Sequence, residues 1–336
     1  MRESLVRRVW YGTGYDALLA RAVLTPAEWA YGAVSLVAGA QRARGAGQSI
    51  VPTISVGNIT VGGTGKTPIA AWVAGQLLER GHHPALLLRG YGGDEPLVHA
   101  LLNPNVPVHT NPDRRRAALR AVADGATALV LDDGFQHRQM PRDADIVLVS
   151  ADLWHDLPVR LLPAGPFREP LEALRRASLV VVTRKAASAE RAAHVATLVQ
   201  RAAPQVGVAV AYLAPDTLRR WDGAGVAQAA ALSGERVLAV SGIGAPEAFA
   251  AQLRALGAEV EATPYGDHHD FSASDITALV AGAARADRVV CTLKDAVKLG
   301  PRWPAGAPPL WYLSQTVVLE TGAAALPALL DRVVGR

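Results

Sequence analysis

Short apolar runs alternate with helical segments over the first two thirds of the chain. The apolar runs lie at 50–56, 84–88, 106–109, 128–131, 145–149 and 179–183, and the segments at 67–80, 113–124 and 187–203 have helical character. Within these runs the apolar residues follow one another without alternation, which is typical of parallel strands covered on both faces. The pattern therefore predicts a doubly wound α/β domain.

A weaker pattern, rich in Gly, Pro and Ala, follows at 204–234 and contains a possible strand at 208–213. A second α/β unit starts at 237, with a helix at 246–256 and strands at 288–292 and 310–320. The last strand is a candidate to pair with the weaker segment. We therefore divide the chain into an N-terminal helical segment (1–45), a main domain (46–205), a β-linker (206–235) and a smaller C-terminal α/β domain (236–336).

Length and composition limit the class of protein. A chain of 336 residues, half of them apolar, can bury one or two cores and is neither disordered nor fibrous. Its single cysteine, Cys291, excludes an intramolecular disulfide and a cysteine-rich zinc site. The N-terminus lacks the order of regions that makes a signal peptide, so we expect a cytoplasmic location.

The first fifty residues are basic and aromatic. Six arginines oppose three acidic residues there, and five of the chain's 18 aromatic residues fall in the same stretch. Such a composition is typical of a helix that lies on an anionic membrane surface, and the apolar run at 29–41 is too short to cross a bilayer. Packing of these helices on the protein's own surface is the alternative.

A glycine-rich turn, Gly57–Pro68, follows the first apolar run. Glycines let backbone N–H groups converge on phosphate oxygens, and the next helix presents its positive end to them. Gly62, Gly63, Thr64 and Gly65 would form this cradle, Lys66 would reach the outer phosphates, and the Thr67 hydroxyl would bind Mg²⁺. The turn predicts a nucleoside triphosphate site.

Two positions depart from common forms of this loop. Thr60 stands where the usual pattern has its first glycine, and Val61 stands where a branch of dimeric ATPases has a signature lysine. Those dimeric ATPases are thus disfavoured. The predicted fold class is α/β and P-loop NTPase-like, with a mainly parallel, doubly wound sheet, a smaller C-terminal α/β domain and a β-linker.

Carboxylates follow two of the predicted strands, where ligands bind in open α/β sheets. Asp132 and Asp133 end the run at 128–131 and are candidate metal ligands, although successive strand side chains point to opposite faces unless the strand ends between them. Asp94 follows the run at 84–88 and could accept the proton of an attacking hydroxyl.

Two further segments could carry chemistry. The Pro- and Gly-rich loop at 161–170 bears Arg168 and Glu169 and is interpreted either as a ligand clamp or as a simple crossover. In Asp267-His268-His269 the adjacent histidines cannot readily bind one metal ion. Proton sharing between a histidine and a carboxylate across a cleft is the better interpretation.

In this order, the motifs resemble those of the tetraacyldisaccharide 4'-kinase family. The matching segments are 10–12, 57–68, 89–92, 93–96, 132–137, 161–170, 267–269 and 294–298, so that the resemblance covers nearly the whole chain. The loop with Thr60 and Val61 is itself the family's form, which makes the match specific.

The resemblance implies transfer of the γ-phosphate of ATP, with Mg²⁺, to the 4'-hydroxyl of an acylated glucosamine disaccharide 1-phosphate, a lipid A precursor, giving lipid IVA. The reaction would take place at the cytoplasmic face of the inner membrane, with the enzyme bound peripherally and needing neither nucleic acid nor an obligate protein partner. The implied roles are as follows: Lys66 and Thr67 for phosphate and metal, Asp132 and Asp133 for metal and nucleotide, Asp94 as base, His268 or His269 as its assistant, and Glu169 and Gln136 near the nucleotide.

Two departures from the family pattern leave alternatives open. A longer insert usually separates the motifs at 89–92 and 93–96, and Leu293 replaces a usual glutamate. The alternatives are a nucleotide-driven switch and a membrane-bound relative with an altered acceptor or without activity.

Overall fold

The computed structural model describes residues 2–44, 47–90 and 93–335. Of the abutting motifs at 89–92 and 93–96, residues 91 and 92 therefore lie outside the described part. The helices are α1 (Arg2–Tyr11), α2 (Tyr15–Arg44), α3 (Lys66–Glu79), α4 (Glu95–Leu102), α5 (Arg114–Ala123), α6 (Ala189–Ala202), α7 (Pro246–Ala255), α8 (Ala273–Ala283), α9 (Leu293–Leu299) and α10 (Ala325–Val334). The strands are β1 (Thr53–Asn58), β2 (Pro84–Leu88), β3 (Val108–Thr110), β4 (Ala128–Asp132), β5 (Ala144–Ser150), β6 (Leu179–Arg184), β7 (Gly207–Arg220), β8 (Val226–Gln228), β9 (Arg236–Ser241), β10 (Glu259–Pro264), β11 (Arg288–Thr292) and β12 (Leu310–Leu319).

The strands of the described ranges form one sheet in the order β10-β9-β11-β12-β7-β6-β5-β1-β4-β2-β3, with β8 added to β7. Neighbouring strands are parallel except where β7 pairs with β12 and with β8. β1 lies between β4 and β5, so the turn that follows β1 opens at the carboxyl edge of the sheet. This is the edge at which open α/β sheets bind ligands.

Continuous apolar strands produce the two covered faces. In β5, Ile146 and Leu148 pack into the core on the side of α3, while Val147 and Val149 pack into the core on the side of α6. Because side chains alternate across a strand, a strand buried on both faces is apolar over most of its length rather than at every second position.

The long strand β7 joins the two parts of the sheet. Its first half pairs in parallel with β6, and its second half pairs antiparallel with β12. The segment expected to be a linker therefore contains a 14-residue strand that belongs to the sheet on both sides. The second group of parallel strands, β9, β10 and β11, is thereby held beside the first.

Helices α1 and α2 pack against the main part of the molecule through the loop that precedes β6. Trp10 Nε1 donates a hydrogen bond to the carbonyl of Pro163, and the backbone N–H of Leu161 donates to Glu28 Oε1. None of the helices in the described ranges has both the length and the apolar character needed to cross a membrane.

Candidate active site

The turn between β1 and α3 has the conformation expected of a phosphate-binding loop. Gly62 and Gly65 have φ values of 105° and 86°, a region that favours glycine. A Cβ atom on Gly65 would lie 2.5 Å from Leu213 Cδ1, so the position also lacks space for a side chain. The loop is braced from within, because Asn58 Nδ2 donates a hydrogen bond to Thr64 Oγ1 over 2.8 Å.

A cavity of about 800 Å³ lies over this loop and is bounded on its other side by the C-terminal unit. Three lysines, Lys66, Lys185 and Lys294, line it. Lys185 Nζ donates a hydrogen bond to the carbonyl oxygen of Gly63 over 3.2 Å. Burial and the charges of Lys294 and Lys66 hold the pKa of Lys185 below its ordinary value, although Asp152 opposes them. Lysines crowded in this way favour an anionic ligand such as a polyphosphate.

The predicted acidic pair lies in the same cavity. β4 ends at Asp132, and Asp133 follows with a φ of 54°, so the chain turns between the two residues and both side chains line the cavity. Asp133 is engaged by cations, since Lys66 Nζ lies 3.7 Å and Arg168 Nη1 3.2 Å from its carboxylate.

Asp132 is held by two buried residues that the sequence motifs did not identify. His99 Nε2 lies 2.9 Å from Asp132 Oδ2, and Arg114 Nη2 donates a hydrogen bond to the Asp132 carbonyl. Burial acts to raise the pKa of Asp132, but the His99 hydrogen bond together with the charges of His99, Lys66 and Lys294 brings it below the ordinary value. Asp132 is thus an ionised, buried carboxylate.

Glu169 and Gln136 form a small network beside the loop. Gln136 Nε2 donates to the carbonyl of Asn58 and to Glu169 Oε1, and Arg176 Nη2 donates to Glu169 Oε2. Gln136 lines the cavity, whereas Glu169 is not among the lining residues. In this structure Glu169 therefore orients Gln136 and Arg176 rather than facing the cavity itself.

Asp94 precedes α4 as its N-cap residue, and the C-terminal unit covers it. The residue is 4% exposed, and Lys298 Nζ and His268 Nδ1, both from that unit, lie 3.3 Å and 3.7 Å from its carboxylate. The fold thus brings together the predicted base and a predicted histidine that are distant in sequence.

The two adjacent histidines have different surroundings. His268 has a φ of 58° and lines the cavity, while His269 stacks on Tyr265 and its Nε2 lies 3.0 Å from Asp275 Oδ2. Geometry therefore associates His268 with Asp94, and it associates His269 with the internal packing of the C-terminal unit.

Sequence signals for the missed residues differ in strength. Lys185 directly follows β6 at the carboxyl edge, and Lys298 belongs to the 294–298 motif, so both could have been identified. His99 and Arg114 lie within ordinary helices, and only tertiary packing brings them to Asp132.

The doubly wound sheet, with a glycine-rich loop between its central strand and the next helix, defines a P-loop NTPase-like protein. The tetraacyldisaccharide-1-P 4'-kinase family model matches residues 20–334. The chain belongs to this family, which confirms both the resemblance and the predicted fold class.

Relatives named tetraacyldisaccharide 4'-kinase support the assignment. One from Anaeromyxobacter dehalogenans is 40% identical, over 93% of this chain and 90% of its own length. Another from Syntrophus aciditrophicus is 40% identical, over 74% and 75% of the two chains. The crystal structure of "apo" form LpxK from Aquifex aeolicus in complex with ATP is similar with a TM-score of 0.71 and 28% identity, covering 94% of this chain and 99% of that one.

Proposed function

We propose that this protein is a tetraacyldisaccharide 4'-kinase, which transfers the γ-phosphate of ATP to the 4'-hydroxyl of a tetraacylated glucosamine disaccharide 1-phosphate. Family membership supports the reaction. One observation of the structure connects the reaction to named residues: Lys66 of the phosphate loop and His268 line the same cavity, and His268 Nδ1 lies 3.7 Å from the buried Asp94 carboxylate behind it.

ATP would bind with its phosphates on the loop residues Gly62, Gly63, Thr64 and Gly65. Their backbone N–H groups and the positive end of α3 suit phosphate oxygens, and Lys66 and Lys185 add charge at the same place. Lys66 contacts Asp133 in the described structure, and a bound phosphate would offer it a stronger partner. Gln136, oriented by Glu169, lies at the rim of this site.

Magnesium would be held by Asp132, Asp133 and the Thr67 hydroxyl. Asp132 Oδ1 is buried without a hydrogen-bond partner among the described residues, so it is free to act as a metal ligand. No group of three His, Cys, Asp or Glu residues in the described ranges could hold a metal alone, and Mg²⁺ commonly combines one or two carboxylates with phosphate oxygens and water. When bound, the ion would neutralise phosphate charge.

The acceptor hydroxyl would lose its proton to the Asp94–His268 pair as its oxygen bonds to the γ-phosphorus. The bond between that phosphorus and the β–γ bridging oxygen breaks, and ADP leaves. Phosphoryl transfer depends chiefly on alignment and charge neutralisation, so a buried carboxylate that orients the hydroxyl is sufficient as the base. The contact of His268 with Asp94 supports His268 rather than His269 as the assisting histidine.

A lipid kinase assay tests the reaction. Purified protein, Mg-ATP and tetraacyldisaccharide 1-phosphate in detergent micelles should give a lipid heavier by one phosphate in mass spectrometry, and Lys66→Ala should give none. ATP hydrolysis that is independent of the lipid would indicate a nucleotide-driven switch instead. A folded protein that binds ATP and transfers no phosphate would identify a relative without kinase activity.

The N-terminal helices support peripheral attachment to the cytoplasmic face of the inner membrane. In α2, the exposed apolar residues fall within roughly half of the helix circumference at 3.6 residues per turn. They are Tyr15, Leu18, Leu19, Val23, Trp29, Val34, Leu36 and Val37. The two charged residues of α2 between 17 and 41 turn inward, because Arg21 donates to backbone carbonyls and Glu28 is 7% exposed.

An apolar cavity of about 500 Å³ beneath these helices supports an acylated acceptor. Trp10, Leu18 and Phe167 contribute to its lining, and Thr60 and Val61 of the phosphate loop form another part of it. The first half of the loop thus borders this apolar cavity and the second half borders the nucleotide cavity. An acyl group held here would lie next to the loop that binds the phosphates.

Flotation with vesicles that contain anionic phospholipid tests the attachment. Val23→Asp and Trp29→Asp, both at positions that are 71% exposed, should each reduce the bound fraction several-fold, because a charge must then leave water. Val226→Asp on β8, where the side chain is 63% exposed, is the matched control and should bind as the wild type does. Equal binding by all four proteins would contradict the membrane role of α2.

A further inference from the structure

Helix α9 of the C-terminal unit presents two lysines to two adjacent carboxylates of the main domain. Lys294 and Lys298 are four residues apart and so lie on one side of the helix. Lys294 Nζ is 3.8 Å from Glu95 Oε1, and Lys298 Nζ is 3.3 Å from Asp94 Oδ2. These ion pairs connect α9 to the N-terminal end of α4.

The Asp94 carboxylate has an unusual environment for a charged group. Its oxygens are buried and accept no hydrogen bond within the described part of the chain. A buried carboxylate without hydrogen bonds needs another polar partner, and a close cation can be that partner. Lys298 is the nearest one, and its own side chain is 16% exposed, which makes the pair largely desolvated.

Lys298 also contacts the segment that carries the histidine. Its Nζ donates a hydrogen bond to the carbonyl of His269 over 3.3 Å, next to His268, whose Nδ1 lies 3.7 Å from Asp94. The Lys298 ammonium group therefore connects the Asp94 carboxylate to the backbone segment that carries His268. Lys298 is absent from the lining of the nucleotide cavity, whereas Lys294 is part of it.

We propose that Lys298 is a positioning residue for the phosphoryl transfer: it pairs with the buried Asp94 carboxylate and holds it in register with His268. The inference rests on the proposed function, since it assigns Lys298 a role through the base of that reaction. The two lysines of α9 thus have different roles: Lys294 faces the nucleotide cavity, and Lys298 positions the base Asp94.

The role predicts a defect in turnover rather than in nucleotide binding. Lys298→Met should lower kcat by about 10- to 100-fold, part of the 10²–10⁴-fold typical of a positioned acid–base group, with a small change in KM for ATP. Lys298→Arg keeps the charge and should recover most of kcat. Arg285→Met is the matched control, because Arg285 forms an exposed ion pair with Glu261 in the same unit and should leave kcat unchanged.

A double-mutant cycle with Asp94→Asn tests whether Lys298 acts through Asp94. If it does, Lys298→Met in the Asp94→Asn background should cost less than about twofold, because residues that act as a unit are not additive. The full 10- to 100-fold loss in that background would show an independent role and overturn the proposal. Wild-type kcat in Lys298→Met would overturn it as well.

Two further outcomes separate a structural role and a failure of the proposed function. Loss of ATP binding or of the circular dichroism spectrum in both Lys298 variants would identify a structural lysine and overturn the proposal. A wild-type protein that phosphorylates no lipid would overturn the proposed function first, before any variant is compared, and the positioning role with it.

Discussion

The buried pair of His99 and Asp132 gives the sharpest test of how the site is held. His99 is fully buried, Asp132 is 4% exposed, and Nε2 donates to Oδ2 over 2.9 Å because an ionised carboxylate can only accept. In His99→Leu the carboxylate would lose this donor, while an apolar side chain would fill most of the space. Leaving a buried charge without its partner costs about 3–5 kcal/mol, so we expect a loss of stability in that range.

The charge of Asp132 should account for much of this loss. In an Asp132→Asn background, His99→Leu instead leaves a neutral side-chain amide without a hydrogen-bond partner. Burying such a group unpaired costs about 1–3 kcal/mol. The free energy of unfolding, measured by urea denaturation of the four proteins at pH 7, should therefore show a coupling of about 2 kcal/mol. Equal costs of His99→Leu in both backgrounds would refute the reasoning.

The effect of pH on the same variants has a defined sign. The folded pKa of Asp132 lies below its ordinary value, so the wild-type carboxylate contributes stability above about pH 4, which is lost as the pH falls through the folded pKa. Burial raises the pKa of Asp132 and the hydrogen bond from His99 lowers it, so the pKa should rise when His99 is removed. The difference in free energy of unfolding between the wild type and His99→Leu should thus be largest at neutral pH and shrink toward pH 4. A difference that stays constant with pH would contradict this account.

Three further predictions follow from individual residues. Gly65→Ala should abolish ATP binding and destabilise more than Gly81→Ala in urea denaturation; both glycines have φ near 85°, which costs an alanine about 1–2 kcal/mol, but a Cβ at Gly81 would meet nothing within 4 Å. Lys185→Met should weaken ATP binding by about tenfold or more in calorimetry, since a hydrogen bond from a charged group contributes about 1.5–3 kcal/mol, and unchanged affinity would argue against a phosphate contact. Cys291 should react with a thiol reagent only after unfolding, because it is fully buried and burial raises the pKa of its thiol well above the ordinary value; rapid labelling of the native protein would contradict this.

Local pattern was sufficient for the frame of the molecule. Residues 128–131 and 179–182 are apolar at every position because parallel strands are buried on both faces, and the structure has β4 and β6 there. The loop before Lys66 could be identified because a phosphate cradle needs glycines at fixed spacing.

Contacts between segments that are distant in sequence could not be predicted from local pattern. Sequence left open which histidine assists Asp94, and a single left-handed residue at His268, with the packing of His269 on Tyr265, separates the two. The inward turn of Arg21 and Glu28, which leaves one side of α2 apolar, likewise appears only once the helix lies on its loop.

The sequence alone therefore determined the fold class, the phosphate loop and the family, because these depend on periodic burial and on backbone geometry that neighbouring residues specify. Tertiary structure alone decided which partner each group has: His99 with Asp132, Lys185 with the phosphate loop and Lys298 with Asp94. The physical reason is that a buried charge must find its partner in space, and the partner comes from whichever segment the closed sheet brings within reach.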